Sequence, residues 1–260
     1  MRTLFLIWKA DERRGENIPI GRLDFDAGIY VFQYIEGLKK ARKLGFSFLP
    51  EFPDLLKTYE SRELFPLFAN RLMSPKRRDF NGLIEALGLV KSDSPLFYLE
   101  VLGRSTGRKA TDRFRLFLKP EKEGNEFTIT CFTTGLSRDS FYESVRNSFQ
   151  LLERGDEIRL VSEKENEYDK YAIKVLHKDD YELGYVPAFY STELSPLLER
   201  NTLLSCKIQK INRPFEAWLP DSILIEIRGE WPPGWEPFAK GDYENYQDES
   251  SSDAPTRATG

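Results

Sequence analysis

The first apolar run, Leu4-Phe5-Leu6-Ile7-Trp8, is short and continuous, as expected of a buried strand. Ile20–Phe25 and Gly28–Tyr34 flank the turn Asp26-Ala27 and predict a hairpin. The period then changes. Across Glu36–Leu44, Leu38, Ala41 and Leu44 share one side while Lys39, Lys40, Arg42 and Lys43 point outward, which is a helical pattern. Leu64–Met73 is a compact apolar stretch, and Asp79–Leu87 predicts a second helix stopped by Gly88. Leu96–Leu102 and Arg113–Leu118 predict paired strands around a basic turn. Pro120–Asn125 is polar and contains glycine, so it marks a boundary.

Beyond it, Phe127–Phe132, Glu157–Ser162, Ala172–Leu176, Ser205–Ile211 and Ile223–Arg228 predict strands. Ser140–Leu152 and Thr192–Arg200 predict helices, the first with Phe141, Val145, Phe149 and Leu152 on one face. After Trp235 the chain turns polar and acidic, and 242–260 are expected to be disordered. These elements give an α+β chain. Its expected parts are 1–90, a β-hairpin and helix module; 91–125, a connecting β segment; 126–235, a small β-rich domain with two helices; and 236–260, a disordered acidic tail.

Composition narrows the chemistry. With one histidine and two cysteines in 260 residues, a four-ligand Cys/His zinc site cannot be built. His177 follows a strand and precedes Lys178-Asp179-Asp180, so it reads as a surface loop residue, and Ser/His/Asp or Cys/His catalysis would have to use it. Cys131 and Cys206 lie in apolar strands and read as buried thiols of a reducing, cytoplasmic compartment. No apolar run reaches the length of a membrane span. Charge is uneven: 1–125 hold 23 Lys/Arg against 17 Asp/Glu, whereas 126–230 hold 13 against 19. The acidic second half speaks against strong phosphate binding, which needs clustered cations.

Four motifs follow in order: Phe132-Thr133-Thr134-Gly135; Gly155-Asp156-Glu157-Ile158-Arg159-Leu160; Asn166-Glu167-Tyr168-Asp169-Lys170-Tyr171-Ala172-Ile173-Lys174-Val175; and Leu183-Gly184-Tyr185-Val186-Pro187. Together they resemble the HIRAN domain, a small β-barrel-like module that binds DNA at a free single-stranded three-prime end. The resemblance covers roughly 126–230. It implies that Tyr168 packs on the terminal nucleotide and that Asp169 accepts a hydrogen bond from its hydroxyl. It also offers Phe132 and Trp218 as base-stacking rings, with Lys174, Tyr185 and Arg213 around them. A carboxylate beside a phosphate is repulsive, so such an arrangement suits a chain end, where a hydroxyl donor replaces the next phosphate. The residues themselves leave alternatives open: Asn166–Lys170 is a good Asx-type turn, and Phe132 suits a core. Cys131 stands where repair-type members can carry an arginine.

Residues 4–88 resemble the N-terminal subdomain of HipA-type kinases, through Ile20-Gly21-Arg22-Leu23-Asp24-Phe25, Phe46-Ser47-Phe48-Leu49-Pro50 and Leu64–Ser74. No kinase catalytic motif follows, and Gly103–Lys109 lacks the spacing of a phosphate loop. Lys76, Arg77 and Arg78, with Arg104, Arg108 and Lys109 (and nearby Arg113 and Arg115), form basic clusters that could lead a strand toward the acidic module. The expectation is a non-enzymatic, cofactor-free and metal-free binder of single-stranded DNA or DNA ends, in a prokaryotic toxin–antitoxin or antiviral defence system. The alternative is an antitoxin-like subunit that restrains a kinase toxin.

Overall fold

The structure is a computed structural model and describes residues 1–11, 16–135, 152–178, 180–212 and 223–248. Contacts divide the chain into two units that do not follow simple halves of the sequence. The first comprises Met1–Arg71, Thr106–Leu118 and the stretch from Phe238; the second comprises Leu72–Ser105 and Lys119–Pro237.

The first unit is built on an antiparallel sheet of five strands. In chain order they are β1 (Arg2–Lys9), β2 (Asn17–Asp26), β3 (Ile29–Tyr34), β4 (Tyr59–Ser61) and β5 (Phe114–Leu118); helix α1 (Gly37–Lys43) follows β3. Their order in the sheet is β4-β3-β2-β1-β5. The hairpin expected around Asp26-Ala27 is present, with Ala27 and Gly28 both at positive φ. β1 is buried on both faces from Thr3 to Trp8, which explains its continuous apolar run. Phe32 stacks on Phe52 at 4.0 Å, and Gly21 makes room for it: a Cβ there would lie 2.6 Å from the Phe32 ring. Tyr34 donates to the Phe52 carbonyl and accepts from the Leu49 N–H, each at 2.8 Å. Its burial pushes the phenol up to about 12. A short helix α2 (Pro66–Ala69) leads to Arg71, whose guanidinium is almost wholly buried and pairs bidentately with Asp112.

The expected tail is ordered over its first part. Phe238 is buried against Phe5, and a 3₁₀ turn at Gly241–Tyr243 sets the Tyr243 ring edge-on to Phe5 at 4.9 Å. Asn245 bridges to Ile35, Glu36 N–H donates to the Glu244 carbonyl, and Gln247 N–H donates to the Glu36 carboxylate. Composition misses this because three aromatics, Phe238, Tyr243 and Tyr246, do the anchoring within an otherwise acidic stretch.

In the second unit, helix α3 (Phe80–Ala86) is followed by α4 (Pro95–Arg104). Two sheets of three strands come next. One has β6 (Glu126–Phe132), β10 (Leu203–Ile211) and β11 (Ile223–Glu230) in the order β10-β11-β6; the other has β7 (Ile158–Ser162), β8 (Ile173–His177) and β9 (Glu182–Tyr185). Helix α5 (Ala188–Glu199) lies between β9 and β10 in sequence. Among the described residues the sheets are joined by the bridges Thr134↔Tyr185 and Glu157↔Lys207.

The strand expected at Leu96–Leu102 is helix α4 instead. Ser94 caps it by accepting from Leu96 N–H, and Pro95 occupies its first turn. A short apolar run cannot by periodicity alone be told from a buried helix. Its pairing partner is also different: β5 pairs with β1. Phe97 and Val101 of α4 join Phe80, Leu83, Ile84 and Leu87 of the α3 region in one core cluster with Phe132 and Leu224. The helix expected at 140–152 lies, but for Leu152, outside the described residues.

Candidate nucleic-acid interface

The Tyr168–Asp169 turn is built by side-chain caps. Asn166 Oδ1 accepts from the N–H groups of Tyr168 and Asp169, at 3.0 and 3.1 Å. Asp169 Oδ1 in turn accepts from Tyr171 N–H at 2.9 Å, and the Asp169 carbonyl accepts from Ala172 N–H, leading into β8. Such Asx caps replace secondary structure in a turn that cannot form a ladder. The result presents Tyr168 at 80% exposure with Asp169 half-buried beside it. Only Oδ1 of Asp169 is engaged among the described residues, so Oδ2 remains an acceptor.

Glu163 ties this turn to the sheet. Its carboxylate accepts from Asn166 Nδ2 at 2.7 Å, from Tyr185 Oη at 2.9 Å and from Lys174 Nζ at 2.8 Å. These hydrogen bonds, Lys174 first, hold the carboxyl down to about 2. Lys174 also meets Glu182 at 3.4 Å and lies over the Tyr185 ring, and its ammonium is raised chiefly by the bond to Glu163. Tyr185 is raised too, by burial first and then by its bond to Glu163. The network brings together Tyr168, Asp169, Lys174 and Tyr185, four of the residues expected from sequence. It also changes the role of Lys174: two carboxylates face it, so it supplies little net positive potential. Glu163 was not singled out in sequence; its position three residues before Asn166 is the signal that would have found it.

The Phe132-Thr133-Thr134-Gly135 motif closes against the same tyrosine. Thr134 and Tyr185 exchange backbone hydrogen bonds at 2.8 Å. Gly135 has φ +86°, and a Cβ would sit 2.9 Å from the Tyr185 ring, so only glycine fits. Phe132 itself is 5% exposed within the core cluster of α3 and α4, and it offers no ring face to a base. Phe132 lies on the face of β6 opposite Phe127, Ile129 and Cys131, and that face is covered by α3 and by α4, the latter expected from sequence as a strand. Arg213 and Trp218 lie outside the described residues.

The basic residues are divided between the two units. Arg108 and Lys109 belong to the first unit; Lys76, Arg77, Arg78 and Arg104 belong to the second. Arg104 is structural: its guanidinium bonds Glu100 and the carbonyls of Leu87 and Gly88, the end of α3. Exposed Arg77 pairs with half-buried Asp79, while Lys76 and Arg78 are exposed. In the first unit Arg113 bonds the Ala10 carbonyl and lies over Trp8, and Arg115 bonds the Phe114 carbonyl. His177 is another correction. It is 3% exposed, ends β8 on the buried face shared with Ile173 and Val175, and sits 3.4 Å from Asp156. Burial raises the thiol of Cys131, and that of Cys206 to about 12, so neither is a nucleophile near neutrality.

Residues 127–228 match the family model of the HIRAN domain. The match spans all four motifs, the Tyr168–Asp169 turn and the Glu163 network. Two solved structures are similar. The HIRAN domain of human HLTF is 16% identical, with 42% of this chain and 84% of that one covered and a TM-score of 0.30. A protein from Lactobacillus plantarum is 15% identical, with 40% and 99% covered and a TM-score of 0.30. Among the curated proteins, none matches this chain. The HIRAN match does not extend to the first unit's strands. No helix among the described residues is long and apolar enough to cross a membrane.

Proposed function

We propose that the second unit is a non-enzymatic binder of single-stranded DNA that reads a free three-prime end. The observation that carries this is the exposed Tyr168 ring beside Asp169, on a turn locked by Asn166 within the HIRAN-matching segment. Tyr168 supplies a stacking face, worth about 1–3 kcal/mol per base. Asp169 Oδ2 supplies an acceptor for a terminal hydroxyl and repels a terminal phosphate. Carboxylates around Lys174 reinforce that repulsion. Arg213 and Trp218 remain proposed contacts of the same strand, on sequence grounds alone. The fold of this part is proposed to be barrel-like; the bridges Thr134↔Tyr185 and Glu157↔Lys207, which join its two sheets, support this.

Fluorescence anisotropy with hydroxyl-ended and phosphate-ended oligonucleotides tests the reading. Tighter binding of the hydroxyl end is expected; equal affinity removes the end-reading role.

For the first unit we propose the second role considered from sequence, docking onto a kinase of the HipA type. Leu44, Phe48 and Leu56 support it, being exposed by 54%, 48% and 62%. Co-elution with such a kinase from the same host on size exclusion is expected, and its loss on Phe48→Ser. A toxin–antitoxin or antiviral defence setting in the cytoplasm belongs to this proposal and rests on the motif resemblance.

A further inference from the structure

A groove of about 510 Å³ in the second unit is not used by the Tyr168–Asp169 site. Its walls come from the segment after α3, from the residues just before β7 and from the end of β10. Leu89, Val90 and Ile211 make it apolar; Arg154, Gln209 and Lys210 give it polar and cationic groups, and Glu85 a carboxylate. Val90 is 88% exposed and offers its apolar side chain at the groove. Gly88 allows the close approach of the loop to β10, because a Cβ there would lie 2.9 Å from Leu224 and 3.1 Å from Gln209. Arg154 is exposed and has no ion-pair partner among the described residues. Lys210 pairs with Glu85 at 2.8 Å, but Glu85 is 79% exposed. An exposed pair of this kind is readily exchanged for another anion.

The groove is linked through the strands to Tyr185 of the Glu163 network. Ile211 pairs with Ile223, the Ile223 carbonyl accepts from Thr133 N–H, and Thr134 bridges to Tyr185. Three interstrand steps therefore lead from Ile211 to Tyr185, a path of about 14 Å at ~4.8 Å per step along the strands. A path of that length to Tyr185, which Glu163 ties to the turn carrying Tyr168 and Asp169, is within the reach of one hexanucleotide.

We propose that this groove is a second subsite for the same single DNA strand, holding nucleotides upstream of its terminus. The proposal rests on the end-binding reading above. Charge is what selects the occupant. At the terminus Lys174 is neutralised by Glu163 and Glu182, so upstream phosphates need cations elsewhere. Arg154 and Lys210 supply them, and Leu89, Val90 and Ile211 give bases an apolar surface.

The test uses the full chain, with hydroxyl-ended thymidine dinucleotides and hexanucleotides, over a range of salt. Arg154→Gln and Lys210→Gln should each weaken hexanucleotide binding about three- to fivefold, the size of one exposed ion pair. Each should lower the slope of log affinity against log salt by about 0.7, as for one phosphate contact on a single strand. Dinucleotide affinity should be unchanged, and Arg154→Lys should restore most of the loss. Unchanged hexanucleotide binding, or equal losses at both lengths, overturns the subsite while leaving end recognition intact. Wild-type protein that binds neither oligonucleotide overturns the end-binding reading and the subsite with it. Tyr168→Ala, which should weaken both lengths, separates the two sites.

Discussion

The Tyr185 hydroxyl donates to Glu163 at 2.9 Å, and that bond joins β9 to the segment carrying Tyr168 and Asp169. Glu163 also holds Asn166, which shapes the turn, and Lys174, which crosses the Tyr185 ring. One carboxylate thus organises the turn that carries the candidate site. It is a positioning residue.

The depressed Glu163 carboxyl gives a pH prediction. Because its folded value, about 2, lies below the ordinary carboxylate range, its contribution is present above that range and is lost as pH falls toward 2. Glu163→Gln should therefore lower the urea midpoint at neutral pH, and the gap should close in acid between about pH 4.5 and 2. The same variant should reduce the preference for hydroxyl-ended over phosphate-ended DNA. An equal midpoint difference at every pH would contradict the charge-based role.

Phe132 and Tyr168 should behave oppositely. Phe132→Ala is expected to cost about 3–5 kcal/mol of stability, since it empties a packed core site. Phe132→Leu should be milder and leave DNA affinity unchanged. Tyr168→Ala should leave the melting temperature nearly unaltered and weaken DNA binding by about 1–3 kcal/mol. Thermal melts paired with anisotropy on each variant decide this.

Gly135→Ala is predicted to destabilise the second unit by about 1–3 kcal/mol, combining a positive φ with a close approach to the Tyr185 ring. A chemical-denaturation curve measures it. Gly155 also has positive φ, +95°, but its Cβ would meet nothing within 4 Å, so Gly155→Ala should carry the backbone cost alone and be the milder change.

Deleting 242–260 should lower stability rather than leave it unchanged. It removes Tyr243 from Phe5, the Asn245 bridge and the backbone bonds of Glu244 to Glu36 and of Tyr246 to Tyr34. Roughly 2–4 kcal/mol is expected, seen by calorimetry as a fall of several degrees. An unaltered melting temperature would mean that these contacts add nothing net.

Local signals were legible where one short stretch decides the outcome. The hairpin about Asp26-Ala27, the helix stopped by Gly88, the strands from Phe127 onward and the Asx turn at Asn166–Lys170 all follow from turn chemistry and period. The order of the four motifs was enough to identify the HIRAN-like segment. Long-range packing decided the rest. Leu96–Leu102 is helix because it has Phe80, Ile84 and Phe132 to pack against, and an apolar run alone does not name its partner. Phe132 became core and His177 became buried for the same reason: alternation assigns faces, but not which face another element covers. Lys174 kept its place while its charge was taken up by Glu163 and Glu182, because those carboxylates reach it only once β7, β8 and β9 are aligned. Sequence determines periods, caps and turns, which are interactions among near neighbours. Burial and net local charge are sums over residues distant in the chain, and only the tertiary structure brings those terms together.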